Sequence, residues 1–211
     1  METWYRVVRF VLGPIICRVW ISTLCGERQF PNAGPVIVAA NHASYLDFLC
    51  LGAVAPRSIY FLTGEVFFRK WWLHPLFKWT GQVCVKRDDA RSRKEAFNDL
   101  AQLLQAGKAV GIFPEGRRSR SGTLQHFFPG VARLSVDCGV PILPTAIIGS
   151  YQAWPPHRPY PLLKKTISIY YGSTIYPEDY SNETEVLQAV QNSIEALMRQ
   201  HSDATELENI S

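Results

Sequence analysis

Short runs of apolar residues recur along the chain, separated by longer segments in which apolar side chains return every three or four positions. The runs have the length of strands buried on both faces, and the longer segments have the period of amphipathic helices. Strands are predicted over 36–40, 59–62, 83–85, 109–113, 142–148 and 166–171. Helices are predicted over 4–25, 45–54, 92–106, 130–138 and 183–200, with two short helices in 66–80 that Pro75 separates. This alternation predicts an α/β fold with a mostly parallel central sheet flanked by helices on both faces.

The first predicted helix, over residues 4–25, is apolar but interrupted by charge. Its longest uncharged stretch ahead of Arg18 is 10–17, whereas a helix that spans a bilayer needs about 20 apolar residues. A signal peptide carries its charges ahead of one apolar run, but here Arg9 and Arg18 flank the run on both sides. The pattern favours an interfacial helix, with aromatic side chains at the acyl boundary and Arg side chains at the headgroups. An ordinary helix packed within the domain is the alternative.

Length and composition set the domain organisation. The 211 residues, 47% of them hydrophobic, suit one domain with a sizeable core. We divide the chain into an N-terminal membrane-associating helix (1–30), a domain (31–202) and a frayed polar tail (203–211). The net charge of +4 is compatible with an anionic membrane, an anionic substrate or nucleic acid, and selects none of them. Five cysteines without a C-x-x-C pair argue against a disulfide framework and against a zinc site.

Polar, chemically reactive residues are concentrated where three of the predicted strands end. They occupy the segments 41–47, 86–87 and 115–120. In open parallel sheets, binding sites lie in the loops beyond the carboxyl ends of the strands. We therefore expect these three loops to converge on one site.

The first of these loops contains His42 and, five positions later, Asp47. Histidine accepts a proton near neutral pH, and a carboxylate on its second nitrogen would fix the tautomer and stabilise the imidazolium. On one continuous helix the two side chains would lie roughly 140° apart, so the pair requires His42 in the loop and Asp47 in the first helical turn. The same segment also matches a capping box with Ser44 as the N-cap. Spacing alone leaves both interpretations open.

The other two loops carry cationic residues and a glycine. Guanidinium groups offer forked donors for a phosphate, and glycine lets the backbone approach a ligand closely. A solvated surface loop is the alternative, and the alternating signs of charge over 86–94 argue against a nucleic-acid patch. The candidate binding residues in these loops are Lys86, Arg87, Glu115, Gly116, Arg117, Arg118 and Ser119.

Four segments taken together resemble the sequence blocks of the glycerolipid acyltransferase family, typified by 1-acylglycerol-3-phosphate acyltransferase. The segments are 41–47 (NHASYLD), 81–87 (GQVCVKR), 113–119 (FPEGRRS) and 140–144 (VPILP). They occur in the order of the family, within a motif core of 36–149 that makes 31–202 an acyltransferase domain. The first segment is similar to the H-x-x-x-x-D block of the family, which selects the catalytic interpretation of His42 and Asp47.

The resemblance implies an O-acyltransferase. His42 would take the proton from the hydroxyl of the acceptor, Asp47 would orient His42, and the oxygen would attack an acyl thioester on CoA or on acyl carrier protein. No metal is implied, and no cofactor besides this thioester co-substrate. The residues implied to hold the phosphate of the acceptor are Lys86, Arg87, Glu115, Gly116, Arg117, Arg118 and Ser119.

The acceptor implied is 1-acyl-sn-glycerol-3-phosphate, and the product is phosphatidic acid in phospholipid biosynthesis. The expected partners are a membrane lipid surface, the lysophospholipid acceptor and, as an alternative acyl donor, acyl carrier protein; nucleic acid is not expected. The expected location is peripheral, at the cytoplasmic face of the inner (plasma) membrane. Family members that act on other lysolipids share the four blocks, so another lysophospholipid or a lyso-aminolipid acceptor is the alternative. A non-catalytic lipid-binding protein on the same scaffold is the second alternative.

Overall fold

The structure is a computed structural model and describes residues 2–65, 80–86 and 88–208. The two short helices predicted in 66–80 fall almost entirely outside these described residues. The aromatic stretch 67–79, whose sequence makes it a candidate to enter the bilayer together with the N-terminal helix, lies wholly outside them.

The described residues form seven strands, six α-helices and two short 3-10 helices. The strands are β1 (Ile21–Cys25), β2 (Val36–Ala40), β3 (Ile59–Gly64), β4 (Val83–Val85), β5 (Ala109–Ile112), β6 (Ile142–Ile148) and β7 (Ile167–Tyr171). The helices are α1 (Glu2–Trp20), α2 (Leu46–Val54), α3 (Ala90–Gln105), α4 (Gly130–Cys138), α5 (Ser150–Ala153) and α6 (Glu183–Glu208). The 3-10 helices are Glu27–Gln29 and Pro177–Asp179.

All seven strands form one sheet, in the order β1-β7-β6-β2-β5-β3-β4. Every neighbouring pair is parallel except β6 and β7, which are antiparallel. The prediction of an α/β fold with a mostly parallel sheet is therefore confirmed.

Strand β2 lies at the centre of the sheet, and its five residues are all buried. Val36, Val38 and Ala40 face a core cluster that also contains side chains of α1 and α2. Ile37 and Ala39 face the opposite cluster, which contains side chains of α3, α4 and α6. Apolar residues on both sides of the pleat explain why the run Val36–Ala40 forms a strand covered by helices on both faces.

The two ends of the chain differ from the predicted boundaries. The helix predicted over 4–25 ends at Trp20, and the next five residues form β1, which pairs in parallel with β7 at the edge of the sheet. An apolar run does not by itself distinguish helix from strand, and the pairing partner that decides it lies far away in the sequence. The C-terminal helix continues beyond its predicted end at Gln200, to Glu208. Within the described residues, no helix combines the length and the hydropathy that crossing a lipid bilayer demands.

Candidate active site

The exit of the chain from β2 is fixed by the side chain of Asn41. Its amide nitrogen donates to the carbonyl oxygen of Ile147 at 2.8 Å, and its amide oxygen accepts from the N–H of Ile147 at 2.7 Å. Asn41 thus continues the pairing of β2 with β6 by one side-chain bridge, and it is buried. The loop that follows therefore starts from a defined point on the sheet.

His42 and Asp47 meet in this loop as an imidazole–carboxylate pair. Nδ1 of His42 lies 2.8 Å from Oδ2 of Asp47, and the Asp47 side chain is fully buried. Since the carboxylate oxygen accepts, we assign the ring proton to Nδ1. In the neutral imidazole the lone pair is then on Nε2, which is the position a general base requires.

The same carboxylate oxygen also organises the start of α2. Oδ2 of Asp47 accepts the backbone N–H groups of Ala43 at 2.7 Å and of Ser44 at 2.8 Å. The hydroxyl of Ser44 accepts the N–H of Leu46 at 3.2 Å, as in helix capping. The N-cap of α2 is Tyr45, without a side-chain capping bond, so Ser44 does not take the N-cap position; the carboxylate of Asp47 instead ties down the residues just ahead of the helix and orients the imidazole.

The face of the His42 ring is held by an aromatic stack. Its centroid lies 4.2 Å from that of Phe113, with an angle of 17° between the planes. Phe113 in turn stacks on Phe61 at 5.9 Å and 9°. The His42 side chain is only 13% exposed, so packing and the bond to Asp47 leave the imidazole little freedom.

The backbone N–H and carbonyl of His42 both form hydrogen bonds with the loop that follows β5. Its N–H donates to Oε1 of Glu115 at 2.6 Å, and its carbonyl oxygen accepts the N–H of Ser119 at 2.8 Å. The other oxygen of Glu115 accepts the N–H of Gln125 at 3.1 Å. Glu115 therefore joins the two loops.

Glu115 has an unusual protonation equilibrium. The residue is only 2% exposed. Burial raises the pKa of its carboxyl to about 7, while the N–H bonds from His42 and Gln125 act in the opposite direction. The sequence predicted a contact with the substrate; the structure places this carboxylate under the surface, with a backbone N–H on each oxygen.

Three of the other predicted binding residues lie in the same loop, next to His42. Gly116 adopts a φ of 65°, a conformation that favours glycine, and so reverses the chain at this point. Arg117 is exposed. Arg118 is half-buried, and its guanidinium carbon lies 3.5 Å from the ring centroid of Tyr45, just ahead of α2. The loops after β2 and β5 thus converge as expected.

Of the two predicted ligands in the third loop, the structure describes Lys86. Lys86 follows the edge strand β4, and β3 and β5 lie between that strand and β2. The ammonium group of Lys86 is 3.8 Å from Oε1 of Glu65, and the backbone N–H of Lys86 donates to the hydroxyl of Ser92. Arg87, the other predicted ligand from this loop, lies outside the described residues.

An apolar cleft opens between α1 and α2 and extends down to β3. Among its lining side chains are Leu12 and Ile16 of α1, and Leu49 of α2. Phe61 also lines the cleft, and it is the residue whose ring stacks on Phe113 behind His42. The cleft therefore reaches the aromatic stack that supports the imidazole.

Sequence reasoning assigned no role to Asn41 or Phe113, although both stand within the segments it singled out. The stack of His42 on Phe113 depends on the register of β2 against β5, in which Ala39 pairs with Ile112. The bonds of Asn41 to Ile147 depend on the pairing of β2 with β6. Within the described residues, no three His, Cys, Asp or Glu side chains cluster as metal ligands.

Comparison with known proteins adds a family. A sequence model described as Acyltransferase matches residues 22–148. A chloroplastic 1-acyl-sn-glycerol-3-phosphate acyltransferase from Brassica napus is 30% identical over 135 residues, which cover 62% of this chain and 38% of that protein. The human 1-acyl-sn-glycerol-3-phosphate acyltransferase alpha is 31% identical over 134 residues, or 60% of this chain and 45% of that protein.

A relative with a different acceptor in its name is also similar. The lyso-ornithine lipid O-acyltransferase of Pseudomonas aeruginosa is 31% identical over 144 residues, which cover 63% of this chain and 53% of that protein. The chain thus spans 38% to 53% of the length of these three relatives.

The fold is also similar to that of a solved structure. The 1-acyl-sn-glycerophosphate (LPA) acyltransferase PlsC from Thermotoga maritima superposes with a TM-score of 0.77, over 93% of this chain and 82% of that one. The sequence identity is 21%, so the likeness concerns the fold.

Proposed function

This chain belongs to the Acyltransferase family, and from that premise we propose that it transfers a fatty acyl group from an acyl thioester to the free hydroxyl of 1-acyl-sn-glycerol-3-phosphate. The product would be phosphatidic acid. The observation that carries the proposal is the pairing of His42 with Asp47 at 2.8 Å, directly beside a loop that contains arginines.

The proposed reaction is a direct transfer. Nε2 of His42 takes the hydroxyl proton while the oxygen attacks the thioester carbonyl carbon. The carbon–sulfur bond then breaks, and the leaving thiolate takes the proton back from the imidazolium. Asp47 holds the Nδ1–H and stabilises the charge that His42 carries between these steps. Such base catalysis contributes roughly 10²–10⁴-fold to the rate.

The phosphate of the acceptor is proposed to bind at the loop after β5. Arg118 and Arg117 supply guanidinium donors, and Gly116 leaves room for an anion beside the backbone. The N–H of Ser119 holds the carbonyl of His42, so this loop and the base are mechanically connected. A phosphate fixed here would hold the hydroxyl at one distance from Nε2, and positioning of this kind lowers the barrier by several kcal/mol.

The fatty chains require an apolar surface close to the base. The cleft between α1 and α2 fits this role, since Phe61 on its wall stacks on Phe113 behind His42. We propose that an acyl chain lies in this cleft during transfer. Its burial would remove apolar surface from water at about 25 cal/mol per Å².

The site is proposed to work at a membrane surface, with the protein peripheral to the cytoplasmic face of the inner membrane. Helix α1 supports this, because it exposes large apolar side chains that nothing in the described part of the chain covers. They are Val7, Phe10, Val11, Leu12 and Ile15, with exposures of 41–83%. An amphipathic helix of this kind lies in the headgroup region with its apolar face down. Acyl-CoA or an acyl carrier protein would supply the thioester, and no cofactor or metal is proposed.

Thiol release tests the proposed function. The full chain is incubated with acyl-CoA or with acylated carrier protein, with and without lysophosphatidate, and the lipid products are identified by mass spectrometry. We expect thiol release that requires lysophosphatidate, and a loss of that release in His42→Ala. His157→Ala, a change at an exposed histidine outside the pair, is the matched control. Acceptor-dependent turnover that persists in His42→Ala would refute the mechanism.

A second acceptor class is favoured by the similarity to the lyso-ornithine lipid O-acyltransferase. A lyso-aminolipid offers a free hydroxyl for acylation but no phosphate. The same assay with a lyso-ornithine lipid separates the two, because an enzyme that relies on Arg117 and Arg118 for a phosphate will prefer lysophosphatidate by kcat/KM.

A further inference from the structure

The segment from Arg158 to Lys165, which we call the 158–165 loop, exposes large apolar side chains on a fixed backbone. Tyr160 is 77% exposed and Leu163 is 78% exposed. The N–H of Leu162 donates to the carbonyl of Ala153 at 2.8 Å and closes the base of the loop. The apolar tip is thus held outward instead of folding back onto the domain, and such exposed clusters mark interaction surfaces.

Hydrogen bonds attach the loop to α1. The indole N–H of Trp20 donates to the carbonyl of Leu162 at 2.8 Å, and the N–H of Thr166 donates to the carbonyl of Trp20 at 3.1 Å. Trp20 is the last residue of α1. The loop therefore lies against the end of the helix whose exposed side we propose to contact the membrane.

The loop also adjoins the helix whose apolar side chains are exposed. Trp20, which bonds to Leu162, ends α1, and the same helix exposes Phe10 and Ile15. The apolar side chains of the loop therefore extend from the C-terminal end of that helix.

The charges of the loop identify what covers it. Residues 151–166 include the cations Arg158, Lys164 and Lys165 and no acidic residue, and all three cations are exposed. Aromatic and aliphatic side chains flanked by cations are typical of a surface that enters the interface of an anionic bilayer. Tyrosine in particular is enriched at the depth of the headgroups.

The other end of the loop is connected, through Trp154, to residues next to the catalytic pair. The hydroxyl of Ser44 donates to the carbonyl of Trp154 at 2.9 Å, and the ring of Tyr45 packs against that of Trp154 at 5.4 Å. The indole N–H of Trp154 then donates to the carbonyl of Arg158. Trp154 therefore connects the 158–165 loop to the residues just ahead of Asp47.

We propose that the 158–165 loop is a second membrane-contacting element, which enters the interface of an anionic phospholipid bilayer beside α1 and holds the His42 loop at the lipid surface. The proposal rests on the membrane association included in the proposed function. It adds a second segment that contacts the membrane, far from α1 in the sequence.

Vesicle flotation of the full chain tests the proposal. The vesicles contain phosphatidylcholine alone, or phosphatidylcholine and phosphatidylglycerol in equal parts. Tyr160→Ser/Leu163→Ser is expected to lower partitioning onto both kinds of vesicle, and Lys164→Gln/Lys165→Gln only onto the anionic kind. Each lysine near such a surface contributes about 1 kcal/mol, so the loss of both should lower partitioning onto the anionic vesicles roughly 30-fold.

The matched control is Val136→Ser/Tyr176→Ser. These side chains are 41% and 47% exposed and belong to the opposite side of the sheet, where α4 packs near α3 and α6. The control is expected to float like the parent chain. Equal flotation of the parent and both loop variants would overturn the proposal, and so would an equal loss in the control.

Activity separates this proposal from the proposed function. With short-chain, monomeric lysophosphatidate and acyl-CoA, both loop variants are expected to keep the turnover of the parent. With lysophosphatidate in anionic vesicles, their turnover should fall in step with flotation. A parent chain that floats in the loop-dependent way but shows no transfer would refute the proposed function and leave the loop proposal standing. A self-association that the loop variants abolish while flotation stays intact would overturn the loop proposal.

Discussion

Nδ1 of His42 and Oδ2 of Asp47 are 2.8 Å apart, and that oxygen is also the acceptor for two backbone N–H groups at the start of α2. Three donors converge on one oxygen of a fully buried carboxylate. The orientation of the imidazole is therefore tied to the folding of the helix, and a change at Asp47 affects both.

Asp47→Asn tests this connection. The amide keeps the shape and can still accept at one oxygen, but it removes the negative charge that stabilises an imidazolium. We expect kcat/KM to fall roughly 10²–10⁴-fold. We also expect a loss of stability of about 1–3 kcal/mol, because the new NH₂ group is buried without an acceptor among the described residues.

Steady-state kinetics and urea denaturation of the same variant give the two numbers. Asp137→Asn is the matched control, since this residue makes only a surface pair with Arg133, which contributes about 0–1 kcal/mol. Unchanged kcat/KM in Asp47→Asn would mean that its charge has no part in the reaction.

Glu115 gives the stability of the fold a particular pH dependence. Burial raises the pKa of its carboxyl from 4.5 to about 7, so the folded chain binds the proton more tightly than the unfolded chain. The resulting stabilisation is fully present below about pH 4.5 and is lost as the pH rises through about 7. Its size is of the order of a few kcal/mol.

Glu115→Gln should therefore flatten the free energy of unfolding between pH 5 and 8, and lower it at acidic pH, where the parent keeps its full stabilisation. The amide has one acceptor for the two N–H groups of His42 and Gln125, which costs about 1–3 kcal/mol. Denaturation curves at several pH values measure both effects. Parallel curves for parent and variant would contradict the assignment to Glu115.

Gly116→Ala probes the turn that carries the arginines. At a φ of 65° a Cβ is disfavoured by about 1–2 kcal/mol, and here it would also meet the ring of Phe128 at 3.2 Å. We expect a loss of stability and a higher KM for lysophosphatidate, because Arg117 and Arg118 follow directly.

Gly130→Ala is the control for that change. A Cβ at Gly130 has no atom within 4 Å among the described residues, and the backbone there is compatible with alanine. Thermal unfolding and KM should both stay near the values of the parent. A similar rise in KM in both variants would show that the conformation of Gly116 is not the cause.

Local sequence was sufficient where one segment decides the structure. The run Val36–Ala40 is short, apolar at every position and begins with three β-branched residues, a combination that favours a strand covered on both sides. The pairing of His42 with Asp47 was expected from the family resemblance of the segment 41–47, because spacing alone also allowed a capping role for Asp47.

Features that depend on distant partners could not be read in this way. Ile21–Cys25 becomes a strand through β7, which stands at the other end of the domain. The stack of His42 on Phe113 follows from the register of β2 against β5. Lys86 follows β4, an edge strand separated from β2 by β5 and β3, a position that only the full strand order reveals.

Arg118 is the residue whose loss should distinguish a phosphate-bearing acceptor from any other. Its guanidinium lies over the ring of Tyr45 beside the catalytic loop, with part of its surface open. A hydrogen bond to a charged group contributes about 1.5–3 kcal/mol, so Arg118→Ala should raise KM for lysophosphatidate roughly 10–100-fold. The acyl transfer to a monoacylglycerol, which has the hydroxyl but no phosphate, should change much less.

The comparison of the two acceptors makes the measurement specific. Removal of the cation–π contact with Tyr45 could displace the loop after β2, but such a displacement would lower turnover with both acceptors alike. Arg120→Ala, an exposed arginine of the same loop, controls for the general loss of positive charge. A rise in KM that is restricted to lysophosphatidate and to Arg118→Ala would support a phosphate held by this guanidinium. Equal losses with both acceptors would assign Arg118 to the support of the catalytic loop.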